Sequence, residues 1–157
     1  MLEALQTAGL ADHIRGWPWA YPLLSTAHIS GFALLLGSII VLDAALVVPR
    51  AACGINSSVL QALTLPWALI GFTLAISSGC LMFMADAVAV AANPAFQVKA
   101  VLIILAVLNA GQLHLSRAWR TVHRLETTIP MRERISALAS AAFWLGIIAA
   151  GRLIAFV

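Results

Sequence analysis

Two ionisable side chains, His28 and Asp43, lie in a long apolar stretch and are the first candidates for chemistry in this sequence. The stretch covers residues 23–48, LLSTAHISGFALLLGSIIVLDAALVV, and no other residue in it can carry a charge. Ionisable groups are costly in the hydrocarbon of a membrane, so those that occur there are functional candidates. The imidazole could bind haem iron or another metal ion, and either group could take part in a proton path.

The spacing of these two residues places them on one helix face at different depths. Fifteen positions separate His28 from Asp43. At about 100° and about 1.5 Å per residue, they lie about 60° apart around a helix axis and about 22 Å apart along it. The whole stretch is longer than the ~30 Å hydrocarbon core, so it is predicted to cross a membrane.

The composition of the chain indicates a single membrane domain over residues 1–157. The sequence is 62% hydrophobic and 10% charged, whereas about a quarter of the residues of a soluble domain are charged. The formal net charge is +3, but six of the nine basic residues fall in two predicted loops. This distribution is a topology signal and argues against a nucleic-acid partner.

Hydropathy and flanking residues predict an all-α, integral membrane four-helix up-down bundle with a short N-terminal interfacial helix. The interfacial helix covers residues 2–15, where apolar residues recur at helical spacing. The aromatic residues that follow suit the headgroup belt. Asn93-Pro94 is predicted to cap a helix. The predicted spans are residues 23–48, 65–90, 95–116 and 135–157.

The distribution of basic residues also predicts an orientation. Arg50 and the five arginines of residues 117–134 lie on one side of the bundle, against Arg15, Lys99 and Arg152 on the other. The positive-inside rule assigns the first group to the cytoplasm. We therefore expect a multi-pass protein of the bacterial inner membrane with both termini on the periplasmic side.

Folding the four spans up and down sorts the intramembrane polar residues into two layers. Each helix contributes one residue to the outer layer, which has an excess of positive charge. That excess suits an anionic ligand group such as a haem propionate, a quinone oxygen or a phosphate. The outer layer is His28, Asp86, Lys99 and Arg152, and the second layer, near the cytoplasmic surface, is Asp43, His114 and Arg117.

Structural roles remain open for the same residues. Lys99 and Arg152 lie close enough to helix ends to extend their charges into the headgroup region, and Asp86 could pair with either of them. His28 could form a hydrogen bond between helices. A haem held by two histidines of one chain is disfavoured, because His28 and His114 differ in depth by about 15–20 Å.

Three segments carry a resemblance to known families. STAHISGFALLLGSIIVLD, NPAFQVKAVLIILAVLN and WLGIIAAGRLIAFV resemble an uncharacterised bacterial family of small four-span inner-membrane proteins. His28, Gly31 and Lys99 are similar to the J-type protoporphyrinogen oxidases, which implies that His28 and Lys99 matter for a bound b-type haem. Phe96, Lys99 and Asn109 are similar to the copper-resistance D-type membrane proteins.

Three functions follow as expectations. The first is a membrane redox protein that binds haem b or interacts with quinone, alone or as a subunit of an electron-transfer complex. In it His28 is the axial metal ligand, and Lys99 and Arg152 hold propionates or a quinone oxygen. A porphyrinogen oxidase is its narrower form. The second is proton or metal-ion transport, and the third is a cofactor-free structural subunit. The expected partners are the lipid bilayer, other membrane subunits or a second copy of the chain.

Overall fold

The computed structural model describes residues 2–7, 9–47, 57–115 and 131–156, and within these ranges every regular element is an α-helix. Four of the helices are long and apolar enough to cross a membrane. The predicted all-α membrane bundle is therefore confirmed. In chain order the helices are α1 (Leu2–Gln6), α2 (Gly9–Gly16), α3 (Ala20–Val47), α4 (Ser57–Ala85), α5 (Ala87–Ala92), α6 (Pro94–Leu115) and α7 (Met131–Leu153).

The second long helix differs most from its predicted bounds. It begins at Ser57, before the predicted start at residue 65, and runs through Pro66. The missing N–H of a proline removes one hydrogen bond from a helix interior, but packing can keep the helix continuous. At its far end the chain turns at Asp86, whose φ of −146° and ψ of 59° are not helical. The predicted span 65–90 is thus one long helix followed by the short α5.

The start of α6 follows the predicted cap. The Asn93 Oδ1 accepts hydrogen bonds from the backbone N–H groups of Ala95, at 2.9 Å, and Phe96, at 3.2 Å. Pro94 then occupies the first helical position, where its missing N–H has no intrahelical partner to lose. The local sequence is sufficient to define this helix start.

The backbones of α3 and α4 approach each other closely at two glycines, Gly31 and Gly71. A Cβ atom added to Gly71 would lie 2.5 Å from the Leu35 nitrogen and 2.6 Å from the Gly31 oxygen. A Cβ added to Gly31 would lie 2.7 Å from the Ala75 nitrogen. Small residues allow this approach, which strengthens van der Waals packing where lipid supplies no hydrophobic driving force between helices.

A single apolar cluster joins all four long helices. Its buried members are Leu35, Ala68, Ala106, Trp144 and Ile147. The helices pack as two pairs, α3 with α4 and α6 with α7, and the pairs meet where α3 contacts α7. There the ring of Phe32 meets that of Trp144 edge-on, with centroids 5.9 Å apart. Most other large apolar side chains are exposed, as expected for helices that face lipid.

The N-terminal segment packs against the end of the bundle where α4 ends. It forms two short helices where one was predicted. Arg15 Nη1 donates to the carbonyl of Ala85 at 2.9 Å, Arg15 Nη2 donates to the carbonyl of Gln6 at 2.8 Å, and the same guanidinium pairs with Asp12. Arg15 therefore ties both short helices to α4. We call this the N-terminal end, and the end where α6 ends and α7 begins the arginine-rich end.

Because the backbones of α3 and α4 touch at Gly71, we expect Gly71→Ala to lower the free energy of unfolding by about 1–3 kcal/mol. Unfolding with increasing dodecyl sulfate in mixed micelles measures it. Gly37→Ala is the matched control, because a Cβ at Gly37 meets no atom within 4 Å and alanine gains helix propensity there. Equal stability of the two variants would contradict the close crossing.

Candidate functional site

The His28 ring is fixed against α4 one turn from the glycine crossing. Its Nδ1 lies 2.8 Å from the carbonyl oxygen of Ala75 and 3.4 Å from the Ser78 hydroxyl. A Cβ on Gly79 would lie 3.0 Å from the ring carbon Cε1, so Gly79 leaves the space that the imidazole fills. Residues of α4 thus determine both the position and the orientation of the ring.

The Ala75 carbonyl also determines which ring nitrogen carries the proton. A carbonyl oxygen can only accept a hydrogen bond, so Nδ1 must donate. In the neutral imidazole the lone pair is then on Nε2, which has no hydrogen-bond partner in the described ranges. A Nδ1–H bond to a backbone carbonyl is the arrangement that orients metal-binding histidines. His28 is therefore prepared to offer Nε2 to a ligand.

Lys99 is the second residue of the predicted outer layer that lies near this site. Its ammonium interacts electrostatically with His28. A Cβ on Gly151 of α7 would lie 3.5 Å from Lys99 Nζ and 3.7 Å from its Cε. The side chain therefore runs along a glycine surface of α7. The N-terminal half of the bundle thus contains an imidazole acceptor on α3, held beside Gly79, and an ammonium donor on α6, held beside Gly151.

The other two residues of the predicted outer layer have partners elsewhere. Asp86 is exposed in the turn between α4 and α5, where Gln6 Nε2 donates to its Oδ1 at 3.4 Å. The guanidinium of Arg152 is exposed and lies 5.1 Å from the centroid of the Phe156 ring. Neither contact involves His28 or Lys99, so the site is described by those two residues.

Of the predicted second layer, the structure describes the side chain of Asp43 alone. The Ser140 hydroxyl of α7 is the polar group that interacts with the Asp43 side chain. The side chain of His114 and the whole of Arg117 lie outside the described residues. The predicted acid–imidazole pair therefore stays a prediction, and the observed partner of Asp43 is a hydroxyl group.

Sequence reasoning missed two polar features at the arginine-rich end. Asn109 of α6 and Ser136 of α7 form two hydrogen bonds: Ser136 Oγ donates to Asn109 Oδ1 at 2.8 Å, and Asn109 Nδ2 donates to the Ser136 carbonyl at 2.9 Å. Glu133, assigned to the loop from its arginine neighbours, lies in the first turn of α7 and is 3% exposed. The spacing of Glu133, Ala137 and Ser140 could have indicated its burial, because residues four and three positions apart lie on the same face of a helix, and here that face is buried.

An apolar layer separates the two polar regions. Along α3, the cluster members Phe32, Leu35 and Ile39 lie between His28 and Asp43. Along α7, Trp144 and Ile147 lie between Ser140 and Gly151, the residue that the Lys99 side chain approaches. The His28 and Lys99 pair is thus set apart from the polar groups of the arginine-rich end by packed hydrocarbon.

The described side chains contain no group of three or more His, Cys, Asp or Glu residues that could hold a metal ion by themselves. A single imidazole suits a group that brings most of its own ligands, as the porphyrin of a haem does. No family model, curated protein or solved structure matches the chain. The geometry of the site is therefore the basis on which a function can be inferred.

The hydrogen bond to Ala75 predicts the tautomer of His28. At alkaline pH, ¹⁵N NMR of protein labelled at histidine should show Nδ1 as the protonated nitrogen and Nε2 as the unprotonated one. His28→Gln identifies the resonance. In the Ser78→Ala variant the assignment should be unchanged, because the Ala75 carbonyl remains. A protonated Nε2 in the wild-type protein would contradict this geometry.

Proposed function

We propose that this chain is a membrane redox protein that binds a b-type haem through His28. The observation that carries the proposal is the bond from His28 Nδ1 to the Ala75 carbonyl, which leaves Nε2 as a lone-pair donor within a membrane helix. Haem iron is commonly held by such a proximal histidine. The four apolar helices would provide a water-poor environment that tunes the electron affinity of the iron.

Lys99 has a complementary role in this proposal. Its ammonium acts on His28 electrostatically, and a propionate beside the haem would place an anion near that charge. The two residues would bind and orient the group, while the haem would supply the one-electron chemistry. Arg152 lies over Phe156, so in this arrangement it would contribute only long-range positive charge.

Quinone is a second ligand class that the same two groups favour. Nε2 of the neutral His28 accepts a hydrogen bond, and the Lys99 ammonium donates one. A quinol hydroxyl and a quinone carbonyl need these two complementary partners. The exposed apolar surfaces of the long helices suit a lipid-soluble ligand or a neighbouring subunit, so the chain would serve within an electron-transfer complex.

The apolar layer favours redox chemistry over ion transport. A proton or metal ion moving from Asp43 to His28 would have to pass the cluster around Leu35 and Trp144. Charges are costly in such a layer, as they are in lipid. An electron needs no polar path through the bundle.

Removal of the imidazole tests the proposal. The Soret band of the purified protein should be lost in His28→Ala and partly restored by added imidazole, which can occupy the vacated space and bind iron. His13→Ala is the matched control, because His13 is exposed on α2. An unchanged spectrum in His28→Ala would rule out His28 as the ligand.

Removal of the nearby ammonium should lower the haem midpoint potential. A positive charge stabilises the reduced iron relative to the oxidised iron, so Lys99→Gln shifts the equilibrium toward the oxidised form. Spectroelectrochemical titration measures the shift. Arg132→Gln removes a cation at the arginine-rich end and should change the potential much less. Equal effects of the two substitutions would place the haem away from Lys99.

A further inference from the structure

A cavity of about 160 Å³ lies between α6 and α7 at the arginine-rich end. It is independent of the site at His28 and lies on the other side of the apolar layer. Its lining includes polar groups from both helices together with apolar walls. The main lining residues are Asn109, Gln112, Leu113, Arg132, Glu133 and Ile135.

The buried carboxylate of Glu133 lines this cavity. Glu133 is 3% exposed, and its Oε2, like the Nε of the adjacent Arg134, is buried without a hydrogen-bond partner among the described residues. A carboxylate that is buried without a partner destabilises the folded protein. Asn109 and Ser136 do not satisfy it, because they bond to each other. Of the described residues that line this cavity, Glu133 is the one acidic residue. A cationic hydrogen-bond donor that enters the cavity would therefore meet its carboxylate.

The rim of the cavity carries the opposite charge. Arg132 is exposed at the rim, and the one ion pair within the described ranges joins Arg15 to Asp12. Arg132 and Glu133 thus line one cavity without pairing with each other. A ligand that fits both would carry an ammonium group at its inner end and an anionic group near the rim.

The depth of the cavity identifies a source for such a ligand. Its lining comes from the last turns of α6 and the first turns of α7, so it lies where two membrane helices reach the headgroup region. Leu113 and Ile135 provide apolar walls. A volume near 150 Å³ accommodates a benzene-sized molecule, which is sufficient for an ammonioethyl group.

We propose that this cavity binds the headgroup of a phospholipid with a primary ammonium, as in phosphatidylethanolamine. The ammonium donates hydrogen bonds to Glu133, and the phosphate lies near the Arg132 guanidinium. Phosphatidylcholine has no N–H to donate to Glu133, and phosphatidylglycerol has no cation. The site therefore distinguishes lipids by the ammonium group.

Lipid binding to the delipidated full-length protein tests this proposal. Native mass spectrometry in detergent, with equal amounts of the three lipids, should show phosphatidylethanolamine bound roughly tenfold more tightly than phosphatidylcholine, given the strength of charge-assisted hydrogen bonds. Equal retention of the three lipids would overturn the proposal. The proposal would also be overturned if soluble phosphoethanolamine protected the protein from unfolding as well as phosphatidylethanolamine does, because the ligand would then be a free small molecule.

Two substitutions assign the contacts, and a third is the control. Glu133→Gln should abolish the preference for phosphatidylethanolamine over phosphatidylcholine, whereas Arg132→Gln should weaken binding of all three lipids. Glu3→Gln removes an exposed carboxylate of α1 and should leave the preference intact. If Glu133→Gln does not fold, Gln112→Trp provides a second test, because the larger side chain fills part of the cavity and should lower retention of phosphatidylethanolamine. A preference that survives the substitutions at Glu133 and Gln112 contradicts the proposal.

Discussion

The backbone contact between α3 and α4 is the constraint on which the rest of the structure depends. Gly31 and Gly71 let the two helices approach until a single added Cβ would overlap backbone atoms. This approach brings α3 close enough for the His28 ring to reach the Ala75 carbonyl, one turn beyond Gly71. In a membrane, where helices gain little from leaving the surrounding lipid, such close packing is the main source of association. The same feature therefore stabilises the fold and fixes the tautomer of the candidate ligand.

The apolar cluster beyond this crossing separates the polar residues of the bundle into two groups. On its N-terminal side, an imidazole and an ammonium from different helices form the proposed redox site. On the other side, Asp43, Glu133 and the Asn109–Ser136 pair lie among α3, α6 and α7. Packed side chains between Leu35 and Trp144 separate the two. The proposed haem site and the proposed lipid site therefore lie on opposite sides of this layer.

Much of the fold could be predicted from the sequence, because hydropathy, length and capping are local properties. The four long helices and the Asn93 cap follow from them. The location of His28 and Lys99 in the same half of the bundle follows from their depths in the predicted spans. The partners of Asp86 and Arg152 could not be predicted, because they depend on where Gln6 and Phe156 lie in three dimensions. Burial of Glu133 was missed for another reason: its basic neighbours indicated a loop, while the helix phase that buries it starts at Met131.

The proposal that His28 offers Nε2 to a haem inside the bundle can be tested on the wild-type protein, without any substitution. The measurement is a reduced-minus-oxidised absorption spectrum of protein produced with ample haem supply and purified in mild detergent. We expect a Soret band with a reduced α-band and about one b-type haem per chain by the pyridine haemochrome method, as for a single proximal histidine. A colourless protein under these conditions would contradict it.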